Sequence, residues 1–173
     1  MIARLADRDL RTKFGVFREV LYYDGQRESI ALVMGEVSGA ENVVCRIHSA
    51  CIGRHVFNSI ECECAAEMAA AQAAVKREGR GVIIYLDQEG KGNGNLALIE
   101  SMKYKKEQGQ AEAYRMAGSE PDARSYRPAA LILAELGVSS VTMLTGNPSK
   151  AAELSELGIT VSGTRPLELV SYV

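Results

Sequence analysis

The sequence predicts an α/β (α+β) fold in which a mixed β-sheet carries flanking helices. The first half is rich in β-branched and aromatic residues separated by short turns, whereas the second half alternates short apolar runs with alanine-rich and charged stretches. With 173 residues, of which 47% are hydrophobic, the chain can bury a core without disulfide bonds. We therefore expect a single domain that spans residues 1–173.

Three strands are predicted in the first half. The first covers residues 14–23 and is followed by Asp24-Gly25, which is typical of a hairpin turn. The second and third cover residues 29–37 and 42–48. Because only short turns separate them, we expect three neighbouring strands in an antiparallel or mixed arrangement.

The second half alternates helices with strands. Residues 63–78 are rich in alanine, glutamate and lysine and stop at Gly79, which predicts a helix with a glycine stop. Residues 109–124 are polar and are expected to be irregular. The alternation of strands and helices places ligand sites in the loops that follow the strands. The other predicted elements are a strand over residues 81–86, a helix over 96–108, a helix over 127–136, a strand over 140–145 and a helix over 148–157.

Composition excludes several classes of function. The formal charge of −2 argues against a general nucleic-acid binder but leaves room for a small cationic pocket. No stretch approaches the roughly 20 apolar residues that a membrane helix needs. The N-terminus mixes both charge signs and has no apolar core, so we expect no secretory signal and a cytoplasmic location. Cysteines kept reduced there more often bind metal or do chemistry than form disulfides.

All four cysteines and both histidines lie in a window of 20 residues, from Cys45 to Cys64. Cys62 and Cys64 are separated by one residue, and Cys51 precedes Cys62 by eleven. Three thiolates in such a pattern leave one tetrahedral position of a zinc ion open, which is typical of a catalytic zinc. A water in that position becomes a nucleophile near neutral pH.

The spacing alone also fits a simpler interpretation. Free cysteines are often buried as small apolar side chains, and Cys45, in an apolar strand, is expected to be one of these. His48 and His55 remain alternative metal ligands at this stage.

Residues 87–94, Asp-Gln-Glu-Gly-Lys-Gly-Asn-Gly, form a glycine-rich loop between a predicted strand and a predicted helix. Glycines allow a ligand to approach the backbone closely, and amides at a helix start favour phosphate or carboxylate. The loop is not a P-loop, because no Gly-Lys-Ser/Thr follows. A flexible turn without a ligand is the alternative.

Two further segments place charges beside predicted helices. Thr145 and Lys150 flank a strand–loop–helix junction that suits an anion, although Asn-Pro turns occur without a ligand. Asp122 and Arg124 alternate just before a helix, so an extended chain can aim both at one pocket. A solvated ion pair is the alternative for these two residues.

Together these motifs resemble the GTP cyclohydrolase II family, the zinc enzymes that open riboflavin synthesis. The resemblance runs from about residue 44 to 167, and the order of its motifs is more specific than any one of them. The motifs are R-x-H-S-x-C at 46–51, C-x-C at 62–64, Y-L-x-Q-E-G-x-G-x-G at 85–94, D-x-R at 122–124, L-T-x-N-P-x-K at 144–150 and a spaced G-I-x-V-x-x-x-R-P-L at 158–167.

The resemblance implies a role for each matched residue. It implies a zinc ion on Cys51, Cys62 and Cys64, with Asp122 as proton acceptor and Arg124 as nucleophile at the α-phosphate. In the family scheme a zinc-activated water attacks C8 of the purine, and formate and pyrophosphate leave; magnesium accompanies the triphosphate, and the protein is a homodimer. The implied substrate-binding residues are Arg46, His48, Ser49, Glu67, Glu89, Lys91, Thr145 and Lys150.

Departures from the family pattern concern substrate recognition. Two family arginines are replaced by Glu61 and Asp87, and a third by Lys91, which lacks the planar bidentate contact of arginine. We therefore expect weaker triphosphate binding than in the family. The family's tyrosine after the glycine loop falls on Met102 without gaps, or on Tyr104 with a shift of one residue.

Three functions follow as hypotheses. The first is a zinc-dependent hydrolase that opens the imidazole ring of GTP or a related purine nucleotide. The second is a diverged homologue that acts on another nucleotide, or on a phosphorylated ribose or nucleobase, without full ring opening. The third is a non-catalytic zinc protein that binds a nucleotide; the retained Asp122, Arg124 and cysteines favour catalysis over it.

Overall fold

Seven strands form one mixed sheet in the computed structural model, which describes residues 1–169. They are β1 (Ala3–Thr12), β2 (Gly15–Tyr23), β3 (Glu28–Met34), β4 (Val43–Ser49), β5 (Gly81–Leu86), β6 (Val141–Leu144) and β7 (Val161–Arg165). Their spatial order is β1-β2-β3-β5-β4-β6-β7. The pairs from β1 to β5 along this order are antiparallel, and those from β5 to β7 are parallel. The predicted mixed sheet is confirmed.

Seven helices and one 3₁₀ turn, Glu89–Gly92, accompany the sheet in the described part of the chain. The helices are α1 (Ile52–His55), α2 (Cys64–Glu78), α3 (Asn95–Met102), α4 (Lys105–Gln108), α5 (Gln110–Met116), α6 (Arg127–Glu135) and α7 (Pro148–Glu156). Helix α2 ends at Gly79 in the left-handed conformation, as the sequence predicts. Among residues 1–169, no helix is long and apolar enough to cross a membrane.

The order of the strands differs from the prediction at one place in the sheet. The expected neighbours β3 and β4 are separated by β5, which pairs antiparallel with β3 and parallel with β4. The crossover through α2 makes the parallel pairing possible, because parallel neighbours need a long connection. Five of the six residues of β5 are buried, so its central position removes an apolar strand from water.

Other differences concern elements with little apolar signal. Residues 109–124, expected to be irregular, contain α5, and the helix expected over residues 96–108 is divided into α3 and α4. Strand β1 is almost entirely exposed, half of its ten residues are charged, and it was not predicted. Helix α5 buries only Ala113 and Tyr114, which is too short a pattern to reveal a helical period.

The core covers both faces of the sheet. On one face α6 and Leu154 of α7 pack against alternate strand residues such as Val82 and Ile84. On the other face α2 packs against residues that include Ile83. Cys45 is fully buried in the first cluster, and burial raises the pKa of its thiol to about 12, so its prediction as a packed thiol is confirmed.

Candidate active site

The loops that follow the parallel strands β4, β5 and β6 meet at one edge of the sheet, around a cavity of about 290 Å³. Open α/β sheets bind ligands at this carboxyl edge. Of the sequence-predicted residues, all but Asp122 and Thr145 line the cavity. The lining ones are Arg46, His48, Ser49, Cys51, Cys62, Cys64, Glu67, Glu89, Lys91, Arg124 and Lys150.

A larger cavity of about 630 Å³ adjoins this one on the far side of Gln88, and none of the cysteines lines it. The chemistry of the lining side chains, and not the volume, therefore identifies the smaller cavity as the candidate site. Asp87 lines the larger cavity only.

Three thiols form a cluster at the smaller cavity. Cys51 precedes α1, Cys62 lies in the following loop, and Cys64 begins α2. Their sulfur atoms all lie within 4.8 Å of one another, and the Sγ atoms of Cys51 and Cys62 are 3.6 Å apart. Ligand sulfurs at about 2.3 Å from a tetrahedral zinc are about 3.8 Å apart, so the cluster fits such an ion. Burial, together with the neighbouring thiols, raises the pKa of the Cys64 thiol, and a divalent cation reverses that effect.

Glu89 ties the cysteine loop to the glycine loop. Its Oε2 atom accepts a hydrogen bond of 2.7 Å from the backbone nitrogen of Ile52, directly after Cys51. Glu89 is a predicted substrate-binding residue, and one of its carboxylate oxygens is therefore used to position the Cys51 loop. The other oxygen accepts only a long bond of 3.3 Å from Gly90 N.

The glycine loop also supports the segment that carries Asp122 and Arg124. The carbonyl oxygen of Lys91 accepts a hydrogen bond of 2.9 Å from Ala123 N. Gly92 has a φ of +85°, and a Cβ atom on it would lie 2.6 Å from the carbonyl carbon of Ala123. Glycine is needed here because of both the backbone conformation and the close approach.

Replacing Gly92 by alanine is expected to lower thermal stability, because the added methyl group pushes the Ala123 backbone away. We expect a loss of about 1–3 kcal/mol in the free energy of unfolding. Gly25→Ala is the matched control, since Gly25 also has a positive φ of +99° but no atom within 4 Å of its Cβ position. Thermal unfolding measures the effect; equal melting temperatures of the two variants would contradict the role of the close contact.

Asp122 and Arg124 form a bidentate ion pair. Nε of Arg124 donates to Oδ1 of Asp122 at 2.8 Å, and Nη2 donates to Oδ2. Partial burial alone would raise the pKa of Asp122, but the hydrogen bonds from Arg124 hold it below its usual range. In turn the bond to Asp122 raises the pKa of Arg124. Only Arg124 lines the cavity, and Asp122 reaches it through this pair.

Gln88 holds this segment in place and was not among the predicted site residues. Its Nε2 donates to the Ser125 carbonyl at 2.7 Å, and its Oε1 accepts from Ser125 N at 3.0 Å. This two-point contact joins the end of β5 to the loop before α6. The glutamine of the Y-L-x-Q-E motif was the available signal for it.

Arg46 and Lys150 form a cationic end of the cavity with Arg124. Arg46 is 5% exposed, and it donates to Glu67 Oε2 at 2.7 Å and to the Leu144 carbonyl at 3.0 Å. Burial, and then the charges of Arg46 and Arg124, lowers the pKa of Lys150 from 10.5 to about 8. Cations crowded in this way are suited to hold phosphate.

Thr145 does not line the cavity. It is buried, and its Oγ1 accepts a hydrogen bond of 3.0 Å from Asn147 N, which shapes the turn before α7. Asn147 in turn caps α7 by accepting from Ser149 N at 3.0 Å. Thr145 therefore positions the turn that leads to Lys150.

His48 contacts His55 through their Nε2 atoms, which are 3.0 Å apart. Its ring also stacks on Tyr85 with 6.3 Å between the centroids. Burial, followed by the charge of Arg46, lowers the pKa of His48 to about 3, so this imidazole is neutral. A neutral imidazole carries one donor and one acceptor nitrogen.

Five buried side-chain polar atoms lack a hydrogen-bond partner within residues 1–169, and all five residues line the same cavity. Such atoms are rare in folded proteins because leaving them unpaired is costly. Their concentration here indicates a surface shaped for a polar ligand. They are Arg46 Nε, His48 Nδ1, Ser49 Oγ, Arg54 Nε and Tyr114 Oη.

The profile of GTP cyclohydrolase II matches residues 3–166 of this chain. The chain belongs to the GTP cyclohydrolase II family. The predicted resemblance is thereby confirmed, and it extends further toward the N-terminus than the motifs alone indicated.

Relatives of known name share this region. The chain is 40% identical over 175 residues to riboflavin biosynthesis protein RibBA of Bacillus subtilis (strain 168), covering 98% of this chain and 44% of that protein. It is 34% identical over 171 residues to RibBA of Endomicrobium trichonymphae, covering 97% of this chain and 42% of that protein. The chain thus spans less than half the length of these relatives.

A solved structure shares the fold. It is the crystal structure of RibBX, a two-domain 3,4-dihydroxy-2-butanone 4-phosphate synthase from A. baumannii, with a TM-score of 0.53 and 18% sequence identity. The match covers 95% of this chain and 40% of that chain. At this identity the likeness concerns the fold alone.

The structure shows where two differences between this chain and the family pattern lie. Met102 lines the cavity and Tyr104 does not, so the methionine is the cavity-wall residue of the two. Six basic and three acidic side chains line the cavity, and the acid at Asp87 lies outside it. Of the three replacements of family arginines, Glu61 and Lys91 therefore line the cavity and Asp87 does not. The basic residues are Arg46, Arg54, Lys91, Lys105, Arg124 and Lys150; the acidic ones are Glu61, Glu67 and Glu89.

Proposed function

We propose that this chain is a zinc-dependent hydrolase that opens the imidazole ring of GTP, or of a related purine nucleotide, and releases formate and pyrophosphate. The observation that carries the proposal is the single cavity that holds a thiol cluster suited to zinc and a cationic end suited to phosphate, with an acid–arginine pair at its wall. Membership of the GTP cyclohydrolase II family supports this chemistry over binding alone.

Cys51, Cys62 and Cys64 are the residues that would hold the zinc ion. Three thiolate ligands leave a fourth position for water or substrate, and the bound ion supplies an activated water and a Lewis acid at the purine. Neutral His48 and Ser49, with unpartnered buried polar atoms beside this cluster, would hydrogen-bond the base.

Arg46, Arg124 and Lys150 would bind the triphosphate, which magnesium accompanies. In the proposed phosphoryl step, Arg124 attacks the α-phosphorus while its proton passes to Asp122, to which it is already hydrogen-bonded. A nitrogen–phosphorus bond forms, the bond to the bridging oxygen breaks, and pyrophosphate leaves with that electron pair. Water later cleaves the nitrogen–phosphorus bond. Lys91 and Glu89 would complete the wall on the side of the glycine loop.

The test is product analysis with the zinc-loaded protein, GTP and magnesium. Equal amounts of formate and pyrophosphate are the expected result. Pyrophosphate without formate would favour the second candidate, a diverged homologue that stops before ring opening; Met102 in the cavity wall is the observation that favours it. Neither product from any nucleoside triphosphate, with zinc bound, would contradict the proposal.

The setting of the reaction is part of the proposal. The relatives' name, riboflavin biosynthesis protein, supports a role in that pathway or in a specialised branch derived from it. We place the protein in the cytoplasm, as a homodimer, on the family resemblance. Light scattering of the purified protein tests the dimer.

GTP affinity is expected to fall as the pH rises through about 8, because the free protein loses the Lys150 proton there and binding must restore it. The dissociation constant should rise by up to about tenfold between pH 8 and 9. Lys150→Arg stays protonated throughout, so its affinity should be flatter over this range. Calorimetric titration at pH 7 to 9 measures both proteins; parallel curves would contradict the assignment to Lys150.

A further inference from the structure

The Tyr114 hydroxyl is a polar group for which the proposed mechanism has no use. Tyr114 lies on α5, is 1% exposed and lines the candidate site. Its oxygen is buried and makes no hydrogen bond to any residue among 1–169. Ser101 is the polar side chain beside it; its hydroxyl donates to the Leu98 carbonyl, 2.8 Å away, and its oxygen lies outside hydrogen-bond geometry with the Tyr114 hydroxyl.

Another buried tyrosine of this chain shows how a buried phenol usually finds a hydrogen-bond partner. Tyr22 is fully buried, and its hydroxyl donates to the carboxylate of Glu135. Buried phenols normally find such a partner. Tyr114 is therefore an exception within the same fold, and its hydroxyl contributes no hydrogen bond to the free protein.

The surroundings of the Tyr114 oxygen are those of the reacting groups. It lies 3.7 Å from the position of a Cβ atom on Gly90, in the glycine loop. The charges of Glu89, Asp122 and Arg124 act on it, and burial raises the pKa of the phenol, so it is protonated and can donate. The hydroxyl thus lies beside the glycine loop and within electrostatic reach of the acid–arginine pair.

We propose that the Tyr114 hydroxyl binds the nucleotide directly, by donating a hydrogen bond to an oxygen or nitrogen of its base or ribose. A ligand atom at this position would satisfy a group that the fold leaves unpaired. The inference rests on the proposed function for the identity of the ligand, but not for the existence of the contact.

Two isosteric variants test the proposal, with thermal unfolding measured in the absence and presence of GTP on the zinc-loaded protein. Tyr114→Phe is expected to leave the melting temperature of the free protein unchanged or raised, because it removes an unpaired polar atom. The same variant should bind GTP about five- to tenfold more weakly. Tyr22→Phe, the matched control, should lower the melting temperature and leave GTP binding unchanged, because it removes an existing hydrogen bond between two residues that do not line the cavity.

Kinetics separate a contact from a structural role. If the proposed reaction occurs, KM for GTP should rise in Tyr114→Phe while kcat stays within about twofold, as for a contact present in both ground and transition states. A lowered melting temperature of free Tyr114→Phe would overturn the proposal, because the hydroxyl would then be paired already. Unchanged GTP affinity would also overturn it.

Measurements on the wild-type protein distinguish failure of the proposed substrate from failure of the Tyr114 contact. Stabilisation by a pyrimidine nucleoside triphosphate, but by no purine nucleotide, would contradict the proposed substrate, and the Tyr114 comparison is then made with that nucleotide. If no nucleoside triphosphate stabilises the wild-type protein, both proposals fail. GTP binding that is equal in wild type and Tyr114→Phe overturns only the inference about Tyr114.

Discussion

Replacing Cys64 by serine is expected to reduce bound zinc from about one ion per chain to a small fraction of that, and to abolish release of formate from GTP. A serine hydroxyl does not ionise near neutral pH, so two thiolates remain of the three whose sulfur atoms lie within 4.8 Å of one another. Zinc content by atomic emission spectroscopy, measured after dialysis, checks the first effect. The melting temperature should also lose its dependence on added zinc, because binding to the native state stabilises it.

Cys45→Ala is the matched control for this experiment. Cys45 is the one cysteine outside the cluster, fully buried in the core, so its replacement should lower stability by leaving a small cavity while zinc content stays at the wild-type level. If Cys64→Ser kept its zinc, or if Cys45→Ala lost it, the proposed ligand set would be wrong.

Replacing Asp122 by asparagine is expected to lower kcat by about 10²- to 10⁴-fold, the usual loss when a proton-transfer group is removed. Asparagine keeps an oxygen that can accept the hydrogen bond of 3.2 Å from Arg124 N, so the turn should survive. It cannot accept a proton from the guanidinium. Zinc content and melting temperature should therefore remain close to those of the wild type, while release of pyrophosphate falls.

Asp87→Asn serves as the control for Asp122→Asn. It removes the same charge from an exposed aspartate that lines the adjoining larger cavity, so activity should change less than about threefold. A similar loss of kcat in both variants would show that overall charge, and not proton transfer at Asp122, is responsible. Full activity of Asp122→Asn would contradict its catalytic role.

Local chemistry made much of the site predictable. The spacing of Cys51, Cys62 and Cys64 indicated a metal site because ligands near one another in sequence need little folding to converge. The glycine loop was predictable for the same reason, since glycine is selected by local backbone conformation.

Contacts between distant segments were not predictable. Gln88 holds the loop of Ser125 across 37 residues, and Arg46 donates to the Leu144 carbonyl across 98. No local pattern specifies such pairs, because each residue type is common in loops and strands without a partner. The same limit applied to Asp87: Glu89 and Lys91 of the same loop line the smaller cavity, whereas Asp87 lines the larger one.

The sequence by itself determined the mixed sheet, the packed thiol, the cysteine cluster and the family, since these depend on periodicity, residue chemistry and short spacings. Only the tertiary structure decided that β5 separates β3 from β4, that Met102 rather than Tyr104 lines the cavity, and that Tyr114 has an unpaired hydroxyl there. Strand order and side-chain partners arise from packing between segments far apart in the chain. Their energies depend on which surfaces are buried together, and a linear pattern does not carry that information.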